Sequence, residues 1–146
     1  MHKTIELKIV TPDRVLLQET VEGVSIPTVE GEITILPEHL PIIAAMKPGE
    51  LRIKKEGKES FFAVTRGVVE VDGKLITVLV DAAERAEEID EKRAEEAKDR
   101  AKALMSEKRT DEELFTNASA ELERALSRIK IARKRSSHGS RTSINQ

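Results

Sequence analysis

Two hydrophobic periodicities divide the chain. Before residue 81, short aliphatic and β-branched runs are cut by turn residues at close intervals, as in IELKIVTPDRVLLQETVEGVSI and GVVEVDGKLITVLV. Runs of this length and type predict strands. Glycine at 23, 31, 49, 57, 67 and 73 supplies the turns, and Asp72-Gly73 signals a tight hairpin that needs positive φ. So many short strands in so little chain predict a small β-sandwich or barrel.

Beyond that point the period changes to that of a helix. Ala83, Ala86, Ala94, Ala97, Ala101 and Leu104 fall on one stripe, and Leu114, Ala118, Leu122, Ala125 and Ile129 on a second. Between them SEKRTDEEL carries a capping signature, Thr110 followed by Glu113, so two helices joined by a short turn are expected to form an antiparallel hairpin. All five prolines and six of the seven glycines precede residue 81, which sets the boundary near Asp81. The expected fold is α+β: a sandwich over 1–81, a helical hairpin over 82–135, and a polar tail, SSHGSRTSINQ, over 136–146 that is expected to be disordered. Alanine stripes allow close helix approach but bury little area at about 25 cal/mol per Å². Such a hairpin is held weakly.

Composition narrows the function. With 146 residues, 38% hydrophobic and 36% charged, the chain can build one core and little more. Its 25 basic and 27 acidic residues give no global field to gather nucleic acid or an anionic membrane. There is no cysteine, and His2, His39 and His138 are too scattered for a metal cluster. No apolar run approaches the roughly 20 residues that cross a bilayer, and MHKTIELKIV lacks the apolar region of a secretory signal. The expectation is a soluble, unprocessed intracellular protein.

The chemistry concentrates in DAAERAEEIDEKRAEEAKDR. A continuous helix there puts Asp90 near the middle of the alanine stripe, with Ile89, Arg93 and Arg100 on one flank. A carboxylate facing another element needs a donor, and Arg93 can supply it one turn on. An intrahelical Asp–Arg pair explains that much. Arg124 and Arg128, on one flank of the second helix, add guanidiniums beyond the need of one carboxylate, and a phosphate chain would use them. Charge is also segregated: eight acids against four bases from Glu84 to Asp99, six bases against two acids from Glu121 to Arg135. Helix dipoles favour that arrangement, and the basic end Lys130, Arg133, Lys134 and Arg135 can equally dock on an acidic partner.

Taken together, IELKIVTPDRVLL, VEGEITILPEHLPIIAAMKPGEL, VDGKLITVLVDAAERAEEID and the basic second helix resemble the epsilon subunit of bacterial F-type ATP synthase over nearly the whole chain. The resemblance implies a non-catalytic rotor subunit. Its sandwich would sit on the gamma subunit and the c-ring, at the cytoplasmic face of the plasma membrane. Its hairpin would either fold down or extend along gamma towards the alpha and beta subunits. In the extended form its basic end, here Lys130, Arg133, Lys134 and Arg135, would meet an acidic segment of beta and block ATP hydrolysis. Some members bind ATP in the folded hairpin through I/L-D-x-x-R-A, matched here by Ile89, Asp90, Arg93 and Ala94. The accompanying positions map to Glu84, Arg100, Arg124 and Arg128, and ATP in such members is a regulatory ligand with no turnover. Glu32, Glu38 and His39 fall at rotor-contact positions. The family often has glycine where this chain has Thr34, Glu38 and Arg66.

Two other readings compete. A purely structural stalk subunit would use Asp90 and Arg93 as an internal pair, without nucleotide. A small nucleotidase would need a phosphate-cradling G-x-x-x-x-G-K-[ST] loop and a nucleophile with its base, and the sequence offers neither. A nucleic-acid module is disfavoured because the basic stretch has no aromatic stacking residues.

Overall fold

The computed structural model describes the backbone of residues 3–107 and 111–142, with side chains as far as residue 134. It divides into two compact units, Met1–Arg85 and Ala86–Gln146.

In the first unit alternation decides which side chains go inside. IELKIV, strand β1 (Ile5–Val10), buries Ile5, Leu7 and Ile9 and leaves Glu6 in solvent. The strands that follow are β2 (Val15–Val21), β3 (Gly23–Thr28), β4 (Gly31–Ile35), β5 (Ile42–Met46), β6 (Gly49–Lys55), β7 (Lys58–Val64), β8 (Gly67–Asp72), β9 (Leu75–Val80) and β10 (Ala83–Arg85). They hydrogen-bond in the order β10-β7-β6-β3-β5-β8-β9-β1-β2, with β4 on β3. Of these neighbours only β1 and β9 run parallel. β3 pairs with β6 through residues 23–25 but meets β5 only at Thr28↔Met46. That single bridge is the corner at which one layer (β10, β7, β6, β3, β4) passes into the other (β5, β8, β9, β1, β2), giving a sandwich.

Both layers feed one core. Val24, Ile26, Ile35, Leu51, Ile53, Phe62 and Val64 come from the first, and Leu7, Ile9, Val21, Met46, Val69, Ile76 and Val78 are among those from the second. Each such side chain contributes about 1.5–3 kcal/mol on burial. The Asp72–Leu75 hairpin forms as expected, with Gly73 at φ 59°.

The second unit opens with a 3₁₀ turn, Ala86–Glu88, followed by helices α1 (Glu91–Ser106) and α2 (Glu112–Thr142) packed as an antiparallel pair. Three expectations change. The boundary falls after Arg85, not Asp81, because Ala83, Glu84 and Arg85 pair with Val64, Ala63 and Phe62 of β7. Ala83 and Ala86 therefore leave the helical stripe, which begins at Ala94. The tail expected to be disordered from residue 136 is helical as far as Thr142. Thr110 lies outside the described residues. Asp111 caps α2, its Oδ1 accepting from the Leu114 amide at 2.7 Å.

Ala94 and Ala101 of α1 and Ala118, Ala125 and Ile129 of α2 are buried, while Leu104 and Leu114, counted on the stripes, are exposed beside the connection. Four of these five buried residues are alanine, and Ile89 and Ile131 are also buried in this unit.

Candidate functional site

Asp90 is the residue whose position departs most from expectation. It does not lie in a helical stripe facing another element. Its backbone is extended (φ −83°, ψ 100°), and it is the N-cap of α1, with Oδ1 accepting from the Arg93 amide at 3.1 Å. Aspartate is among the best residues for satisfying free first-turn amides. The local sequence therefore starts the helix here instead of carrying it through. The Arg93 guanidinium comes back towards the same carboxylate, Nε to Oδ2 at 3.9 Å. Both side chains stay largely in solvent, Arg93 at 82% and Asp90 at 55%. Ile89 and Ala94, the apolar members of the same hexapeptide, are buried. The motif thus anchors through its apolar positions and leaves its charged positions accessible.

Arg133 of α2 meets Glu91 at 2.9 Å and Glu95 at 2.8 Å, which sets the helix register. With a rise of about 1.5 Å per residue, Arg100 then lies level with about residue 126 of α2. Arg124 and Arg128 then lie on either side of the Arg100 level, about 3 Å away each and one turn apart, and Arg93 sits about 10 Å further along the axis. Arg100 and Arg124 are exposed and Arg128 is half-buried. Glu84 stands apart from the rest by unit: it is the middle residue of β10.

The expected rotor residues lie on β4 and the loop after it. Glu32 is bridged by Arg52 at 3.2 Å, and Arg52 also reaches Ser25, which hydrogen-bonds Thr34 at 3.0 Å. Glu38 takes a left-handed conformation, φ 67°, and pairs with Lys3 at 2.9 Å. His39 is held in the same turn, its amide donating to the Leu36 carbonyl and Nδ1 to that of Leu40. Sequence reasoning passed over Leu36, Leu40 and Ile43, which are 57%, 80% and 73% exposed around these residues. Large aliphatics set among prolines in ILPEHLPII were the available signal.

At the basic end Lys130 is exposed, Lys134 is half-buried and the side chain of Arg135 lies outside the described residues. Arg133, expected to face a partner, is engaged within the hairpin by the two α1 glutamates. Glu95 is doubly held, Oε1 by Arg133 and Oε2 by Lys98 at 2.7 Å. The Lys98 hydrogen bond, opposed by desolvation and helped by the Lys98 and Arg133 charges, keeps the Glu95 carboxyl below its ordinary pKa.

Comparison with known proteins fits this architecture unit by unit. Residues 4–86 match the β-sandwich domain of the ATP synthase delta/epsilon chain, and residues 87–133 match its long α-helix domain. An ATP synthase epsilon chain of Herpetosiphon aurantiacus is 44% identical over 90% of this chain and 96% of its own. One from Dehalococcoides mccartyi is 44% identical over 92% and 96%. Among solved structures, a chain of the Euglena gracilis mitochondrial ATP synthase, determined as OSCP, F1 and c-ring, superposes with a TM-score of 0.74 at 28% identity, over 82% of this chain and 76% of that one. The chain belongs to the ATP synthase delta/epsilon family, and within it to the epsilon chains.

Proposed function

We propose that this chain is a non-catalytic subunit of the central stalk of an F-type ATP synthase, with a hairpin that acts as a nucleotide-biased brake on ATP hydrolysis. The sandwich links the gamma subunit to the c-ring, and Glu32, Glu38 and His39 with the exposed Leu36, Leu40 and Ile43 form the rotor-facing surface. The hairpin exchanges between a folded form and one extended towards alpha and beta, where the basic residues at the end of α2 meet an acidic segment of beta. The complex sits at the cytoplasmic face of a bacterial plasma membrane, with this subunit peripheral to it. No described helix of this chain is long and apolar enough to cross a membrane.

ATP enters as a regulatory ligand. One observation carries this reading: Ile89 and Ala94 are buried while Asp90 and Arg93 between them remain in solvent, on a hairpin whose register brings Arg124 and Arg128 to within about 3 Å of the Arg100 level along the axis. Guanidinium forks spaced along the hairpin suit a phosphate chain. A ligand that contacts both helices favours only the folded form, by RT ln(1 + [ATP]/Kd), about 2.7 kcal/mol at 100 times Kd. A seam made largely of alanine can be governed by a term of that size.

Asp90 as a helix cap specifically favours the purely structural reading, because capping alone accounts for an aspartate at that position. Calorimetric titration of ATP into the isolated chain separates the two. Saturable binding that weakens roughly 10- to 150-fold in each of Arg93→Ala, Arg124→Ala and Arg128→Ala, as charge-assisted contacts of about 1.5–3 kcal/mol require, supports the brake. Absence of binding up to millimolar ATP leaves a structural stalk subunit whose Asp90 only starts a helix.

A further inference from the structure

Arg133 is the point at which the basic end of α2 and the acidic start of α1 meet. Its Nε and Nη2 take one oxygen each from Glu91 and Glu95, at 2.9 and 2.8 Å. The two glutamates stand four residues apart, one turn of α1. Lys98 holds the second oxygen of Glu95. The Nε and Nη2 donors of the guanidinium are therefore taken by a pair of carboxylates presented along one helix face. That is the chemistry an acidic segment of another chain would present to it.

We propose that the Glu91–Glu95 pair is a built-in stand-in for the acidic partner: it occupies the Nε and Nη2 donors of Arg133 in the folded hairpin, so these donors can serve either the clasp or the partner, never both. The proposal rests on the reading that the basic end of α2 docks on an acidic segment, and adds to it a residue that sets the exchange. Opening the clasp frees a preformed fork for the partner. Closing it withdraws the fork and ties α2 to the first turn of α1, directly after the Ile89–Ala94 hexapeptide begins. Arg133 is thereby a positioning residue for that turn as well.

The test uses the full chain and a hexaglutamate peptide as the acidic probe, titrated at low and high salt. Glu91→Gln with Glu95→Gln is expected to bind the peptide about two- to fivefold more tightly than wild type, the range that partly exposed ion pairs command, with the gain shrinking as salt rises. Arg133→Gln placed on that background should abolish the gain. A charge-matched control, Glu96→Gln with Asp99→Asn on the same helix, should bind like wild type. Equal affinity of wild type and the clasp variant, or a gain that survives Arg133→Gln or also appears in the control, overturns the proposal while leaving the docking reading intact. Failure of every form to bind the peptide removes the docking reading, and the proposal falls with it. Amide exchange in the first turn of α1 supplies a second readout: faster exchange in Arg133→Gln supports the positioning role, and unchanged exchange overturns it.

Discussion

Gly67 has no room for a side chain. A Cβ there would stand 2.0 Å from the Leu79 carbonyl oxygen and 2.7 Å from Val80 Cγ1, on the strand paired with β8. Because backbone must give way, Gly67→Ala is expected to cost about 1–3 kcal/mol of sandwich stability, read as a lower denaturant midpoint. Glu38 makes the opposite case. Left-handed backbone costs an L-residue roughly 1–2 kcal/mol, glycine recovers it at an entropic cost of about 0.5–1 kcal/mol, and the Lys3 pair it would lose is solvent-exposed and weak. Glu38→Gly should therefore stabilise the sandwich slightly, by about 0.5 kcal/mol on the same denaturation curve. Asp90 carries two roles that substitution can part. Asp90→Ala removes the cap and should destabilise α1 by about 1 kcal/mol. Asp90→Ser keeps the cap while removing the carboxylate, so helix content stays at the wild-type level and any loss of ATP affinity reports on the ligand.

At the scale of elements, the strands were legible wherever one face is buried: IELKIV and GVVEVD alternate, and the structure buries Ile5, Leu7, Ile9, Val69 and Val71 accordingly. β10 was not legible. AER has no apolar pattern to read, and it becomes a strand only through pairing with β7. A helical period run back through Ala83 and Ala86 places the start of α1 too early, because the aspartate ahead of EKRAEEAKDR is its cap. The end of α2 misled through composition. SSHGSRT is poor in helix formers, yet extending an existing helix by a residue is far easier than nucleating one, and helix persists to Thr142. The residues of the candidate site could be picked from the sequence, whereas the Arg133 clasp could not, because it depends on the register of two helices. The Lys98 hydrogen bond to Glu95 within α1, with the Arg133 charge as a smaller contribution, also gives that helix an acid limit. Glu95 titrates below its ordinary value, so its contribution is complete above the unfolded glutamate pKa of about 4.3 and is lost as pH falls through the lower folded value. Amides of α1 should exchange progressively faster, relative to intrinsic rates, as pH drops below about 4.3. In Glu95→Gln that dependence should be reduced.

For the whole molecule, two units with separate cores imply separate responses. Among the described residues, the sandwich has a continuous core of 18 buried apolar side chains, and the hairpin unit has four buried alanines in its two helices with Ile89, Ile129 and Ile131, partly exposed ion pairs and exposed leucines. Stability is then unevenly distributed, with the hairpin at the low end, where regulatory elements are found. A ligand confined to the hairpin should shift its opening equilibrium and leave the sandwich unchanged. The most direct test is hydrogen exchange of the isolated full chain with and without ATP, at about 100 times the Kd found by titration. The account predicts slower exchange along both α1 and α2, approaching a hundredfold for the amides that exchange by hairpin opening, no change in β1 to β9, and loss of the effect in Arg93→Ala. Hairpin exchange that is identical with and without saturating ATP, or protection spread equally over the sandwich, would contradict it.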